Sequence, residues 1–261
     1  VGDSVIRGLY ISASSAITEA KRVDVIANNI ANVNTTGYKK DVMVTQNFSE
    51  VLISRINDRF GKDLKVSRPF KPLGPLSYGI HSSEIMIDFK QGQLNSTGNS
   101  FDLALRGKGF FCIDTPEGER YTRNGSFAKD AEGWLVTGEG WRVFGEDGYI
   151  RIEGSDMTVN EKGEVFSDAQ LAGKLKLVDF EDYEALRKEG NGLIRIAEEI
   201  DAEPVITAGT VQQGFLEGSN VNSVKEMVEM LTMMRTYEAN QRIIKIHDEL
   251  IGKAVNEIAR V

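Results

Sequence analysis

Cysteine is nearly absent from these 261 residues, where Cys112 stands alone. No intrachain disulfide can form. With His81 and His247 as the only histidines, no Cys/His metal framework can be drawn either, and no cofactor is expected. An excess of positive charge is also missing: 31 Lys and Arg face 39 Asp and Glu, for a net charge of −8. A broad nucleic-acid surface needs clustered cations, so that partner is not expected. No run of about 18 apolar residues occurs, so neither a transmembrane helix nor membrane insertion is expected. The first residues lack the basic-then-apolar layout of a secretory leader. The expectation is that, if the protein works outside the cytoplasm, it is exported without a cleaved signal peptide. What is present is ordinary: 41% hydrophobic and 27% charged residues, enough for one large domain or two modest ones.

The two ends carry matching stripes. Leu9, Ala13, Ala16, Ala20, Val23, Ala27 and Ile30 recur at alternating steps of four and three. Met230, Met234, Tyr237, Gln241, Ile244, Asp248, Ile251, Val255 and Ile258 do the same near the C-terminus. Such spacing faces one side of a helix and needs a partner to leave water. It predicts helices over about 4–32 and 221–261, the second about 60 Å long at the α-helical rise. Asn220 or Asn222 is the expected cap of the second. The Ala-rich first stripe allows a close neighbour. Two seam positions are polar: Gln241 and Asp248 either face solvent as the helix drifts from a strict heptad, or fix register through hydrogen bonds between subunits.

Between the helices the pattern changes. Ser49–Phe60 reads as a short helix, and residues 61–79 as a connector holding Pro69, Pro72 and Pro75. From about 80 to 213, short apolar runs alternate with glycines and pairs such as Asn124-Gly125 and Asp147-Gly148, which predicts antiparallel strands joined by tight turns. The fold class is therefore α+β. The N- and C-terminal helices pair as a coiled-coil-like layer (1–36 and 214–261), an extended connector covers 37–79, and a central all-β domain of short antiparallel strands covers 80–213.

Catalytic chemistry finds little footing. Gly107-x-Gly109 precedes strand-like residues, so it is no dinucleotide loop. Cys112 alternates within an apolar strand and reads as a buried, inert thiol. His247 reads as a surface residue, and Asp130, Glu132, Glu146, Asp147 and Asp156 as solvated turn carboxylates. A sugar-cleaving carboxylate pair depends on spacing in space, which sequence does not give. Trp134 and Trp141 are expected to anchor the β core, with a subunit contact as the alternative. Asn28, Asn29, Asn32 and Asn34 either cap and turn the chain or contact a neighbouring subunit.

Four blocks carry a family resemblance. Asp24–Lys39 (DVIANNIANVNTTGYK) resembles the N-terminal signature of the bacterial flagellar rod and hook proteins. Gln91–Phe111 and Tyr121–Phe127 are similar to the start of that family's β-domain. Gln213–Asn222, with Met227 through Asn240, resembles its C-terminal domain. The length resembles the distal rod protein or its proximal-rod relative more than the longer hook proteins. The resemblance implies a structural, non-enzymatic axial subunit of the flagellar basal-body rod, a type III export substrate. It would assemble helically through its terminal helices and transmit torque from motor to hook. The implied partners are copies of itself, other flagellar rod and hook proteins, and the surrounding rings of the basal body. The implied subunit interface comprises Leu9, Ala13, Ala16, Ala20, Val23, Ala27, Ile30, Asn28, Asn29, Asn32, Met230, Met234, Tyr237, Gln241, Ile244, Ile251, Val255 and Ile258. A hook-type subunit, or a carbohydrate-binding or carbohydrate-acting β-protein with helical oligomerisation arms, are the alternatives.

Overall fold

A computed structural model describes residues 2–48, 50–55, 71–77, 79–154, 156–197, 200, 203–207 and 209–258. The chain divides into two compact units. One takes residues 1–27, 43–85 and 227–261; the other takes 28–42 and 86–226.

The first unit holds most of two helices, α1 (Gly2–Ala31) and α2 (Ser223–Ile258), whose ends at 28–31 and 223–226 belong to the other unit. Asn222 caps α2: its Oδ1 accepts from Lys225 N at 3.0 Å, supplying one of the acceptors that a helix start lacks. Within this unit the helices touch at seven-residue steps. A Cβ placed on Gly8 would lie 2.8 Å from His247 Nε2. Asn240 Nδ2 donates to Ser15 Oγ at 2.9 Å, and Arg22 Nη1 lies 3.6 Å from Met233 Sδ. Each seven forward in α1 is matched by seven back in α2, so the helices run antiparallel. Apart from Met233, small and polar residues make these contacts.

A second face of α1 rests on the strand Ile80–Asp88. Thr18 Oγ1 reaches Ile80 O at 3.4 Å, and Lys21 Nζ donates to Ser82 Oγ at 3.1 Å. Gly79 seats this contact, because a Cβ there would fall 2.2 Å from Ser14 Oγ. The strand Lys40–Asn47 pairs with Ile80–Asp88.

The expected helix at 49–60 is corrected. Glu50–Arg55 is a strand, antiparallel to Lys71–Ser77, while positions 49 and 56–60 lie outside the described residues. The run Val51-Leu52-Ile53 favours extended backbone once a partner strand is available. That partner carries Pro72 and Pro75, which a two-stranded ribbon tolerates because each of its strands is an edge. Part of the expected connector is thus ordered as a strand.

The second unit is β-rich. Among the described residues its largest sheet has ten strands. The main path runs Leu186–Gly190, Leu193–Ile196, Gly118–Thr122, Phe110–Thr115, Arg142–Gly145, Leu135–Thr137, Phe127–Lys129. All its recorded pairings are antiparallel. Phe110–Thr115 is covered on both faces, and side chains alternate across a strand. Phe111 and Ile113 therefore enter one apolar cluster with Leu103, Val143 and Ile152, while Phe110 and Cys112 enter another with Tyr121, Phe180 and Ile194. Burial also pushes the Cys112 thiol far above its ordinary range, which leaves it unreactive.

Two short ribbons carry the chain in and out of this unit. Leu94–Ser96 pairs with Phe215–Glu217, and Leu103–Arg106 pairs with Thr210–Gln213. The tryptophans part company. Trp141 packs against the first cluster. Trp134 does not join that core. Half-buried, its ring has the guanidinium groups of Arg142 and Arg151 over it at 4.9 and 5.6 Å, within cation–π range.

Candidate functional site

The described residues contain no group of His, Cys, Asp and Glu arranged to hold a metal. The densest polar construction is instead a buried ionic hub within the β-rich unit. Its centre is Glu217, whose side chain is 0% exposed. Glu217 Oε1 accepts from Lys39 Nζ at 2.6 Å and from Gly92 N at 2.8 Å, and Oε2 accepts from Arg123 Nη1 at 3.2 Å. Lys39 Nζ also donates to Lys90 O, and Arg123 Nη2 to Gly107 O. The Arg123 guanidinium lies 5.3 Å from the centre of the Phe110 ring.

Glycines let these segments approach. Gly37 has φ +68°, and a Cβ on it would lie 2.4 Å from Asn124 N. A Cβ on Gly92 would lie 2.0 Å from Gly218 O. Gly37 N donates to Glu217 O at 2.7 Å.

A second cluster roots both helices in the same unit. Asn29, on the last turn of α1, donates through Nδ2 to Asp41 O at 2.9 Å and reaches Glu226 Oε2 at 3.4 Å on the first turn of α2. Asn29 Oδ1 accepts from Asp41 N. The Tyr38 hydroxyl lies 2.9 Å from Asn28 Oδ1 and 3.1 Å from Asn29 Oδ1. Lys40 Nζ pairs with Glu226, and Lys188 Nζ with Asp41, the latter ammonium sitting over the Tyr38 ring. Asn220 Oδ1 accepts from Lys40 N while its Nδ2 donates to Asp88 O.

Burial governs the electrostatics. It draws the Lys39 ammonium below its ordinary range, against the pull of Glu217, and lowers Lys188 likewise against Asp41. It also lowers Arg123, which Glu217 partly restores. Burial first, and then Asp41, raises the Tyr38 hydroxyl.

The candidate residues of the two stripes are placed as follows. On α1, Ala16 is buried; Leu9, Ala13, Ala20, Val23 and Ile30 are half-buried; Ala27 is exposed. Asn29 is buried in the network above, Asn32 is half-buried and Asn28 is exposed. Asn32 caps locally, donating to Asn28 O at 2.9 Å. On α2, Met230, Tyr237 and Ile244 are half-buried, while Met234, Gln241, Asp248, Ile251 and Val255 are exposed. The side chain of Ile258 lies outside the described residues.

The α2 residues that meet Gly8, Ser15 and Arg22 of α1 are His247, Asn240 and Met233, each one position before Asp248, Gln241 and Met234. His247, expected at the surface, is half-buried against Gly8; the absence of a side chain on Gly8 opens that space. The outer side of α2 exposes large apolar residues among charged ones: Val224 is 70% exposed, Val228 60%, Leu231 57% and Ile246 55%, with the exposed pair Glu238 and Arg242 between them.

From the sequence, Glu226 reads only as a negative charge suited to the dipole at the start of α2, and Lys39, Arg123 and Glu217 carry no individual role. The available signal was charge placed beside glycine in otherwise apolar or turn-rich runs, as in Gly37-Tyr38-Lys39 and Leu216-Glu217-Gly218.

Comparison with known proteins places three family profiles along the chain. "Flagella basal body rod protein" matches residues 9–39. "Flagellar hook protein FlgE/F/G D1 domain" matches 104–167, and "Flagellar basal body rod FlgEFG protein C-terminal" matches 212–257. The chain is 34% identical over 256 residues to the flagellar basal-body rod protein FlgF of Caulobacter vibrioides, covering 97% of this chain and 98% of that protein. It is 33% identical over 259 residues to the flagellar basal-body rod protein FlgG of Agrobacterium fabrum, covering 94% and 97%. It is 30% identical over 275 residues to the flagellar hook-basal body complex protein FlhO of Bacillus subtilis, covering 98% and 100%.

Proposed function

Since this chain belongs to the flagellar basal-body rod protein family, we propose that it is a structural axial subunit of the rod, built to be completed by copies of itself and by neighbouring rod and hook proteins. The observation that carries this reading is the outer side of α2. Val224, Met227, Val228, Leu231 and Met234 cluster there, and Ile243, Ile246 and Leu250 continue further along the helix, all exposed. A long helix with large apolar residues facing water is poorly used by a lone chain, and covering them contributes about 25 cal/mol per Å² of apolar surface.

The candidate interface follows: Leu9, Ala13, Ala16, Ala20, Val23, Ala27 and Ile30 on α1, and Met230, Met234, Tyr237, Gln241, Ile244, Ile251, Val255 and Ile258 on α2, with Asn28, Asn29 and Asn32 at the end of α1. In the assembled state the two helices pack as a coiled-coil-like layer. A repeated contact that does not close on itself gives a helical tube, and rigid packing along it transmits torque from motor to hook. The domain reading keeps 1–36 with 214–261 as the inner helical layer, 37–79 as connector and 80–213 as the β domain. The β-rich unit carries the chain's acidic excess. That suits a cationic inner wall on the surrounding rings. The chain is a non-enzymatic subunit.

Electron microscopy of basal bodies isolated from cells carrying a tagged copy tests the reading. The tag is expected on the rod. A tag found only on filament, or absent from basal bodies of motile cells that express the protein, would overturn it.

A further inference from the structure

The ionic hub has a feature that a merely stabilising cluster does not need. Its three charges come from chain segments that are remote in sequence, with separations of 178 residues for Lys39–Glu217 and 94 for Arg123–Glu217. Glu217 ends the strand Phe215–Glu217, so its carboxylate arrives only when that strand pairs with Leu94–Ser96. Arg123 directly follows the strand Gly118–Thr122. Before the ribbon closes, docking Lys39 would bury an ammonium beside a second cation with no anion between them, which is prohibitive. Lys39 in turn belongs to the segment that roots α1 and α2, through Tyr38, Lys40 and Asp41 on Asn29 and Glu226.

We propose that Lys39, Arg123 and Glu217 form a closure checkpoint, which anchors the last turn of α1 and the first turn of α2 only after the incoming and returning strands of the β-rich unit have paired. The charge count makes the checkpoint asymmetric. Glu217 is the carboxylate bonded to both cations, while Asp88 acts on Lys39 and Asp179 on Arg123 only through longer-range attraction, so neutralising Glu217 removes the bonded anion of both, whereas neutralising Lys39 leaves Arg123 and Glu217 paired. Arg123 Nε is buried without a hydrogen-bond partner, so the guanidinium is held by Glu217 and the Gly107 carbonyl alone. For a rod subunit, and resting on that reading, the consequence is that an unclosed chain does not offer anchored helices to a growing assembly.

Hydrogen exchange on the purified full-length chain tests this without any assembly. In Glu217→Gln, amides of residues 28–40 and 223–230 are expected to exchange faster by roughly a hundredfold or more, while Phe110–Thr115 keeps its protection. Lys39→Met is expected to accelerate the same amides far less. Three results would overturn the proposal: ends that stay protected in Glu217→Gln, simultaneous loss of protection in Phe110–Thr115, or equal effects of the two substitutions. Incorporation into basal bodies then separates the two readings. An unanchored Glu217→Gln chain that still incorporates refutes the checkpoint alone, and a wild-type chain that never incorporates refutes the rod reading alone.

Discussion

The strand Phe110–Thr115 and the helix α2 place their apolar residues in opposite ways. Phe110, Phe111, Cys112 and Ile113 are each 0% exposed, split between two clusters that the β-rich unit builds from its own residues. Along α2 the contact with α1 employs Met233, Asn240 and His247, while Val224, Leu231 and Ile246 face water. One region is finished by its own chain. The other holds its register largely with polar groups and leaves large apolar side chains exposed. Polar contacts suit this division, because they specify one alignment without adding much stability.

Substitutions should separate the regions sharply. Phe111→Ala removes a fully buried ring from the first cluster and is expected to cost about 3–5 kcal/mol, lowering the midpoint of chemical denaturation of the β-rich unit. An unchanged midpoint would break the contrast, because the β core would then not be the self-sufficient part. Gly37→Ala meets both the left-handed φ and the Asn124 backbone, so it should destabilise by more than about 1 kcal/mol, seen as a shift in thermal unfolding.

The pH response sharpens the picture of the hub. Lys39 and Lys188 bind protons less readily folded than unfolded, so stability should rise with pH as each passes from its lowered range towards the ordinary lysine range. Tyr38 works in the opposite sense: its raised hydroxyl keeps a proton that the unfolded chain releases, and stability should fall once pH exceeds about 10. Denaturation midpoints across alkaline pH should pass through a maximum, and the rising limb should shrink in Lys39→Met. The smallest effect belongs to the helix contact. Asn240→Ala deletes its bond to Ser15 and should cost about 1 kcal/mol or less, measured as faster exchange of amides in α1 and α2 with the β-rich unit unaffected.

Both helices and most strands were legible in the sequence for distinct reasons. The 3.6-residue period gave α1 and α2, and glycine-bearing turns, among them Asp147-Gly148, gave strands such as Met157–Val159 and Arg142–Gly145. Glu50–Arg55 was read as helix because a short apolar run carries no clear period, and its strand partner Lys71–Ser77 was obscured by two prolines. The helix contact was harder to see. A search for apolar periodicity selects Met234, Gln241 and Asp248 as neighbours of Met230, Tyr237 and Ile244, whereas Met233, Asn240 and His247 form the line that meets α1. The hub stayed hidden because its pairs span separations that no local pattern encodes. Yet Lys39, Gly92, Arg123 and Glu217 each come from a different one of the four blocks that carry the family resemblance. The resemblance had gathered the right segments without showing that they meet.

Thiol labelling offers the most direct test of whether neighbours finish α2. Cys112 is buried, so a Leu231→Cys chain presents a single accessible thiol. That thiol should react readily with maleimide in the purified chain and be protected in isolated basal bodies. Equal reactivity in both states would contradict the account, because the outer side of α2 would then remain uncovered after assembly.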